Sequence, residues 1–188
     1  MVVKFSDVNM ILPVVPYGNQ MLRKVCSDIT DFTQLPELID NMWQTMYNSN
    51  GIGLAAPQIN QSIRLFVVDT TQIEGYADAI KEPFINAKII DFSQETCKEL
   101  EGCLSIPYVR DWVVRPTSIT IEYLDSNLTK QIKVFSGMNA RVIQHEYDHI
   151  EGKLFVDRLP QLSKRLIKKS LDDILEGKVN TRYPLLRK

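Results

Sequence analysis

The sequence contains few of the residues that most often bind metal ions. It has only two histidines and three cysteines among its 188 residues. A site built from three histidines is therefore excluded. The cysteine count is odd and the N-terminus has no recognisable export signal, which argues against a disulfide framework. We therefore expect reduced thiols and a cytoplasmic location.

An excess of charge and long apolar runs are also lacking. The formal net charge is −1, which gives no overall attraction to nucleic acid or to an anionic membrane. No apolar run reaches the length needed to span a bilayer. Hydrophobic residues make up 44% of the chain, and its length suits one domain with a substantial core. We expect a single domain over residues 1–188, monomeric, with no DNA or membrane partner.

Both histidines lie in one short segment, which reads QHEYDH at 144–149 and contains the H-E-x-x-H pattern. On a helix, residues four positions apart share a face, so His145 and His149 can bind one metal ion. Glu146 leaves the helix about 100° from His145 and could reach a water on the metal without being a ligand. The motif predicts a metal site with a base beside it but leaves the class of enzyme open.

The third ligand is not given by this motif. A catalytic site usually has three protein ligands, and without a third histidine the remaining one must be Cys, Asp or Glu. The extended metzincin pattern is excluded because its last ligand position is Phe155. Cys103, in the segment EGCLSIP at 101–107, is one candidate, and its alternative is a small buried hydrophobic side chain. Asp172 and Glu176 are the candidates for a thermolysin-like endopeptidase.

Apolar spacing predicts the elements around the motif. In order, these are a helix at 33–48, a Gly- and Ala-rich loop at 51–58, strands at 64–69 and 83–92, a hairpin with strands at 118–124 and 130–135, the metal-binding helix, and a helix at about 159–175. Strands without regular βα alternation predict an α+β fold, with antiparallel or mixed sheets packed around the central metal-binding helix. Ser136 is predicted to cap that helix, and Gly152 suits the position after its end.

Three segments taken together resemble the signature motifs of the peptide deformylases. They read GIGLAAPQ at 51–58, EGCLS at 101–105 and QHEYDH at 144–149, in the order of that family and without a substitution. The resemblance covers about residues 11–160. It implies a metal-dependent hydrolase that removes the N-formyl group from the formyl-methionine of newly synthesised polypeptides and releases formate.

The resemblance also implies roles for individual residues. The metal ligands would be Cys103, His145 and His149. The native ion would be Fe²⁺, and Ni²⁺, Co²⁺ or Zn²⁺ could replace it. Glu146 would act as general base and acid while a metal-bound hydroxide attacks the formyl carbon. The side-chain amide of Gln58 and the backbone N–H of Leu104 would stabilise the oxygen on which negative charge develops.

Selectivity for methionine requires an apolar pocket beside the metal. Met138 and Val142 share the ligand face of the helix and Ile52 lies in the first motif, so we expect these three residues to line the pocket. Plain core packing is the alternative interpretation for them. Gly53 and Gly102 would let a peptide or an ion approach the backbone closely.

The C-terminal part of the chain is predicted to be an amphipathic helix at about 159–176 and a polar tail at 177–188, after a deformylase core at about 1–160. One side of the helix is predicted to be apolar, and this side comprises Leu159, Leu162, Leu166, Ile167, Leu171, Ile174 and Leu175. The opposite side is basic. Family members with such a helix use it at the ribosome near the exit tunnel, and a solvated helix face is the alternative.

A module that binds nascent chains around a structural metal, without catalysis, is a further alternative. A purely structural site has no use for a base beside an open coordination position, so Glu146 argues against it.

Overall fold

The computed structural model describes residues 10–186. Within this part of the chain, three α-helices and seven β-strands form, with 3-10 turns at Gln20–Arg23, Ala56–Ile59 and Phe155–Arg158. The helices are α1 (Leu35–Asn48), α2 (Gly137–Ile150) and α3 (Gln161–Leu175). The strands are β1 (Gly53–Ala55), β2 (Leu65–Asp69), β3 (Lys81–Phe92), β4 (Thr96–Cys103), β5 (Ile106–Pro116), β6 (Ser118–Leu124) and β7 (Lys130–Ser136).

The seven strands of the described chain form two sheets. One has five strands in the order β1-β2-β3-β6-β7, and the other is the hairpin β4–β5. Every pairing between these strands is antiparallel. The predicted α+β fold is therefore confirmed, with antiparallel sheets.

Helix α2 packs across the five-stranded sheet and lies at the centre of the core. In β6, Ile119, Ile121 and Tyr123 face inwards, and the residues between them are half exposed, as the two-residue period of a strand requires. These side chains form one apolar cluster with Val142 and Ile143 of α2. Burying one such side chain contributes about 1.5–3 kcal/mol, so the sheet fixes the position of the helix.

The two ends of α2 differ in how well the sequence predicts them. Ser136 is the N-cap residue, but its side chain makes no capping hydrogen bond, so that part of the prediction is wrong. The chain enters α2 directly from β7 through Gly137 at φ +57°, whose N–H donates to the Thr117 carbonyl instead. At the other end, Gly152 follows the C-cap with φ +69°, as predicted.

The apolar pattern does not predict the hairpin β4–β5, nor strand β1 inside the Gly- and Ala-rich loop. On β4, Leu100 pairs with Trp112 of β5, and both side chains are about half exposed, at 49% and 52%. The neighbouring residue Glu101 is buried. Because a charged residue occupies the inner position and an apolar one the outer position, the usual alternation of a strand is reversed here.

The apolar side of α3 is narrower than the sequence predicts. Leu162 and Leu166 are 69% and 76% exposed, which corrects their assignment to the buried side. Leu159 is buried but does not belong to α3. It is the C-cap residue of the preceding 3-10 turn at Phe155–Arg158. Only one stripe of α3, which includes Ile174, packs against the core cluster beside β5, because the helix lies at the surface. No helix within residues 10–186 is both long enough and apolar enough to cross a membrane.

The two ends of the described chain lie side by side. Val14 forms a bridge with Leu185, and its N–H donates to the Pro184 carbonyl at 2.8 Å. The N–H of Leu186 donates to the Val14 carbonyl, also at 2.8 Å. The residues after α3 therefore return to the core instead of extending away from it.

Two glycines at equivalent helix ends allow a matched stability test. Gly152 after α2 and Gly177 after α3 both have φ +69°, but a Cβ at Gly152 would lie 2.6 Å from the Arg23 carbonyl oxygen, whereas a Cβ at Gly177 would meet nothing within 4 Å. We expect Gly177→Ala to lower the free energy of unfolding by about 1 kcal/mol. Gly152→Ala should lower it by about 3 kcal/mol, because overpacking adds to the backbone strain. Urea denaturation measures both, and equal losses would contradict the predicted clash.

Candidate active site

Helix α2 and the end of β4 bring three metal-binding side chains together. Cys103 ends β4, and His145 and His149 lie one turn apart on α2. Their ligand atoms all lie within 4.8 Å of one another, and Cys103 Sγ is 3.3 Å from His149 Nε2. Ligand atoms around one tetrahedral ion are expected about 3.4–3.8 Å apart, so this donor set fits a divalent cation. Within residues 10–186 it is the one cluster of this kind.

The hydrogen bonds of the imidazoles leave nitrogen atoms available for a metal. His145 Nδ1 lies 2.9 Å from Glu101 Oε2, so Nδ1–H donates to the carboxylate and Nε2 is the nitrogen that remains for a metal. His149 directs its Nε2 towards Cys103. Its Nδ1 is buried and has no hydrogen-bond partner among the described residues. Both histidines can therefore bind the same ion through Nε2.

A buried network of charges connects the hairpin to α2. Arg115 is fully buried and donates through Nε and Nη2 to the two oxygens of Glu101, at 2.6 and 2.9 Å. Its Nη1 donates to Asp148 of α2 at 2.7 Å. Arg141 of α2 also donates to Glu101, at 2.8 Å, and Arg158 forms two hydrogen bonds of 2.6 Å with Asp148. Each carboxylate is thus held by two guanidinium groups.

These bonds keep Glu101 ionised although it is buried. Burial alone would raise its pKa, but the hydrogen bonds and charges of His145 and Arg115 outweigh burial, and the pKa of Glu101 is well below its usual value. An ionised Glu101 accepts a hydrogen bond from His145 Nδ1–H and so fixes both the tautomer and the orientation of that ring. The motif residue Glu101 therefore supports His145 of the metal-binding cluster and is not itself a member of that cluster.

Glu146 is buried next to the metal-binding cluster. Only 4% of its surface is exposed, and its Oε2 has no hydrogen-bond partner among the described residues. Burial raises the pKa of Glu146 to about 7. A cation bound by the neighbouring cluster would favour the carboxylate and lower this pKa again. This environment suits a group that accepts a proton and later returns it.

Two hydrogen-bond donors flank the cluster. The Ala55 N–H donates to Gln58 Oε1 at 2.8 Å, which turns the Gln58 amide nitrogen towards Cys103 Sγ, 3.5 Å away. The same nitrogen donates to Ser105 Oγ at 3.3 Å. Leu104 follows Cys103 in the turn between β4 and β5, and no group among the described residues accepts a hydrogen bond from its N–H. Such donors can stabilise a developing oxyanion.

A cavity of about 560 Å³ opens beside the cluster, and Glu146, Gln58 and Leu104 contribute to its walls. All five residues that the sequence predicts to contact substrate line this cavity, namely Ile52, Gly53, Gly102, Met138 and Val142. The apolar pattern gave no indication of Tyr183, which also lines the cavity but lies in the tail after α3.

The acidic residues considered as alternative ligands lie elsewhere. Asp172 forms an ion pair with Lys168 one turn away on α3, and Glu176 forms one with Lys178. Neither carboxylate belongs to the metal-binding cluster. The structure therefore offers no support for a thermolysin-like ligand set.

A Cys, His and His donor set, with a buried glutamate and two hydrogen-bond donors around one cavity, is typical of the class of metal-dependent hydrolases. The model of the polypeptide deformylase family matches residues 11–165 of the chain. The chain is 50% identical over 185 residues to the peptide deformylase of Flavobacterium psychrophilum, with 93% of this chain and 95% of that protein covered.

Solved structures give the same result. The peptide deformylase of Plasmodium falciparum is similar with a TM-score of 0.81 and 34% identity, over 87% of this chain and 95% of that one. The Met-Ala-Ser-bound class I type b peptide deformylase of Acinetobacter baumannii has a TM-score of 0.76 and 35% identity, over 81% and 100% of the two chains. The chain belongs to the peptide deformylase family, whose members are metal-dependent enzymes that remove the N-formyl group from nascent peptides.

Gly53 provides the space that Glu146 occupies, which leads to a prediction. A Cβ at Gly53 would lie 2.4 Å from Glu146 Oε1 and within 2.9 Å of two side-chain carbons, so the carboxylate would have to move. We expect Gly53→Ala to lower kcat by about 10²-fold or more, the contribution typical of a positioned acid or base. Metal content should not change. As a control, Gly75→Ala adds a methyl group that meets nothing within 4 Å. Its φ of +74° makes this variant less stable, but kcat should be unaltered. A similar kcat in both variants would refute this role of Gly53.

Proposed function

We propose that this chain hydrolyses the formyl amide of N-formyl-methionyl peptides through Glu146, acting as general base and acid beside a metal ion held by Cys103, His145 and His149. The observation that carries the proposal is the buried carboxylate oxygen of Glu146, which has no hydrogen-bond partner within residues 10–186 and lies in the cavity that adjoins this cluster. A purely structural metal site has no need of such a group.

The donor set indicates the kind of ion. A thiolate and two imidazoles suit Fe²⁺ and Zn²⁺, and we propose Fe²⁺ as the native ion, with Ni²⁺, Co²⁺ or Zn²⁺ as substitutes. Once bound, the cation would act as a Lewis acid and lower the pKa of a coordinated water molecule. Glu101, bonded to His145, would keep the imidazole oriented for the ion.

The protein residues would then direct the proton and the charge. Glu146 would accept a proton from the attacking water and deliver it to the amine nitrogen as the C–N bond breaks, so that formate and a free N-terminus leave. The Gln58 amide and the Leu104 N–H would donate to the formyl oxygen as it becomes negative. Donors of this type contribute about 3 kcal/mol each in other hydrolases.

The cavity suits a methionine side chain. Met138, Val142 and Ile52 contribute apolar surface close to the cluster, and Gly53 and Gly102 leave the backbone accessible to an extended peptide. The relative from Acinetobacter baumannii was solved with Met-Ala-Ser bound. We therefore take formyl-Met-Ala-Ser as the test substrate for this chain.

We propose that helix α3 contacts the ribosome, where formylated chains emerge. We also propose that the enzyme is cytoplasmic, and that it acts as a monomer with a single catalytic domain. Arg165 and Lys169 are exposed on α3 together with Leu162 and Leu166. A surface that combines basic and apolar side chains suits ribosomal RNA and protein.

Charge reversal tests the role of α3. We expect the double variant Arg165→Glu/Lys169→Glu to lose most co-sedimentation with ribosomes at low salt, because the contact with RNA depends on counterion release. The matched pair Lys88→Glu/Lys98→Glu reverses two exposed charges on the sheets and should co-sediment like the wild type. Equal binding by both variants would refute the proposed contact.

Formate release from formyl-Met-Ala-Ser tests the catalytic proposal. For Glu146→Gln we expect a kcat lower by about 10²–10⁴-fold, because the variant cannot accept the proton. Its content of iron, measured after anaerobic purification, should equal that of the wild type, since Glu146 is not a ligand. Cys103→Ala should lose the metal and the activity together.

Three outcomes would contradict this assignment. If Cys103→Ala keeps both its metal and its activity, Cys103 is not the third ligand, and Asp172 or Glu176 would again be the candidates. Full activity in Glu146→Gln would exclude that residue as the base. A metal-loaded wild type that releases no formate would exclude the activity itself.

A further inference from the structure

The residues after α3 form part of the substrate cavity. The backbone bonds between Val14 and residues 184–186 fix this tail against the core. They place Tyr183 in the wall of the cavity, half buried, beside the turn between β4 and β5 that contains Leu104. The tail therefore contributes a side chain to the site.

The hydroxyl of Tyr183 donates to the carbonyl oxygen of Leu104 at 2.8 Å. Burial, followed by the charge of Cys103, raises the pKa of Tyr183 above its ordinary value, so the hydroxyl keeps its proton and remains a donor. The bond joins residues 79 positions apart in the chain. It acts on the carbonyl of Leu104, the residue whose own N–H is the proposed oxyanion donor.

The turn that carries Leu104 is held at two further points. The Ser105 carbonyl accepts a hydrogen bond from the Tyr17 N–H at 2.8 Å. The Ser105 hydroxyl accepts one from Gln58 Nε2 at 3.3 Å. Next to this turn the pairing of β4 with β5 shifts register, between Gly102 and Cys103, so the strand ladder alone does not define its conformation. Residues from both ends of the chain therefore restrain it.

We propose that Tyr183 is a positioning residue for the deformylase reaction, because its hydrogen bond to the Leu104 carbonyl fixes the orientation of the Leu104 N–H. This inference rests on the proposed role of that N–H as an oxyanion donor. A donor aimed at the formyl oxygen acts most strongly when negative charge has developed there, in the transition state. A small rotation of the turn therefore affects kcat and leaves substrate binding almost unaltered.

The test is Tyr183→Phe, which removes the hydroxyl and keeps the ring in the cavity wall. With formyl-Met-Ala-Ser as substrate, we expect kcat to fall about three- to tenfold, the effect of one lost hydrogen bond. KM, the melting temperature and the bound metal should remain those of the wild type. Tyr123→Phe is the matched control, because its hydroxyl bonds to Glu82 on the sheet and its ring does not line the cavity. It should leave kcat unchanged.

The outcomes separate this inference from the proposed function. A wild-type kcat in Tyr183→Phe overturns the positioning role. A fall in kcat that is accompanied by a lower melting temperature and a loss of bound metal also overturns it, because it would indicate a structural role only. In both cases the Glu146→Gln result still stands for the reaction itself. If Gln58→Ala lowers kcat but Tyr183→Phe does not, the oxyanion site is retained and only the contribution of the tail is refuted.

Discussion

The carboxylate of Glu101 is the group on which the rest of the site depends. It accepts hydrogen bonds from Arg115, Arg141 and His145, and so joins β4, β5 and α2 at one point. Leaving a charge of such a group unpaired in the interior costs about 3–5 kcal/mol. The hairpin therefore cannot separate from α2 without a large loss of stability. The geometry of the cluster of Cys103, His145 and His149 is coupled in this way to the packing of the hairpin.

Helix α2 is almost entirely buried because the five-stranded sheet covers one side of it and the hairpin β4–β5 covers another. Ala140, Ile143 and Ile150 face the five-stranded sheet within an apolar cluster. The side towards the hairpin carries charged or polar groups instead, among them Arg141, His145 and Asp148. Such groups are tolerated in the interior because Arg141 and Asp148 pair with groups of opposite charge and His145 donates a hydrogen bond to Glu101. One helix thus completes the core and carries the reactive groups.

Local patterns predicted a large part of the fold and of the site. His145, Glu146 and His149 are adjacent within one helical turn, so spacing alone suffices to place them. Cys103 required the resemblance, because nothing local distinguishes a ligand from a buried thiol. The bonds from Arg115 to Glu101 and Asp148 span 14 and 33 positions, and no periodicity reports such contacts. The outward leucines of α3 were misassigned because a surface helix buries only a narrow stripe.

The position of Tyr183 near the end of the sequence has a consequence for folding during synthesis. A chain leaves the ribosome from its N-terminus, and its parts can fold as they emerge. Cys103, His145 and His149, together with Gln58, Leu104 and Glu146 of the cavity wall, are all synthesised before the segment that contributes Tyr183 to that wall. The complete cavity can therefore form only after residue 183 has been synthesised and has left the ribosome.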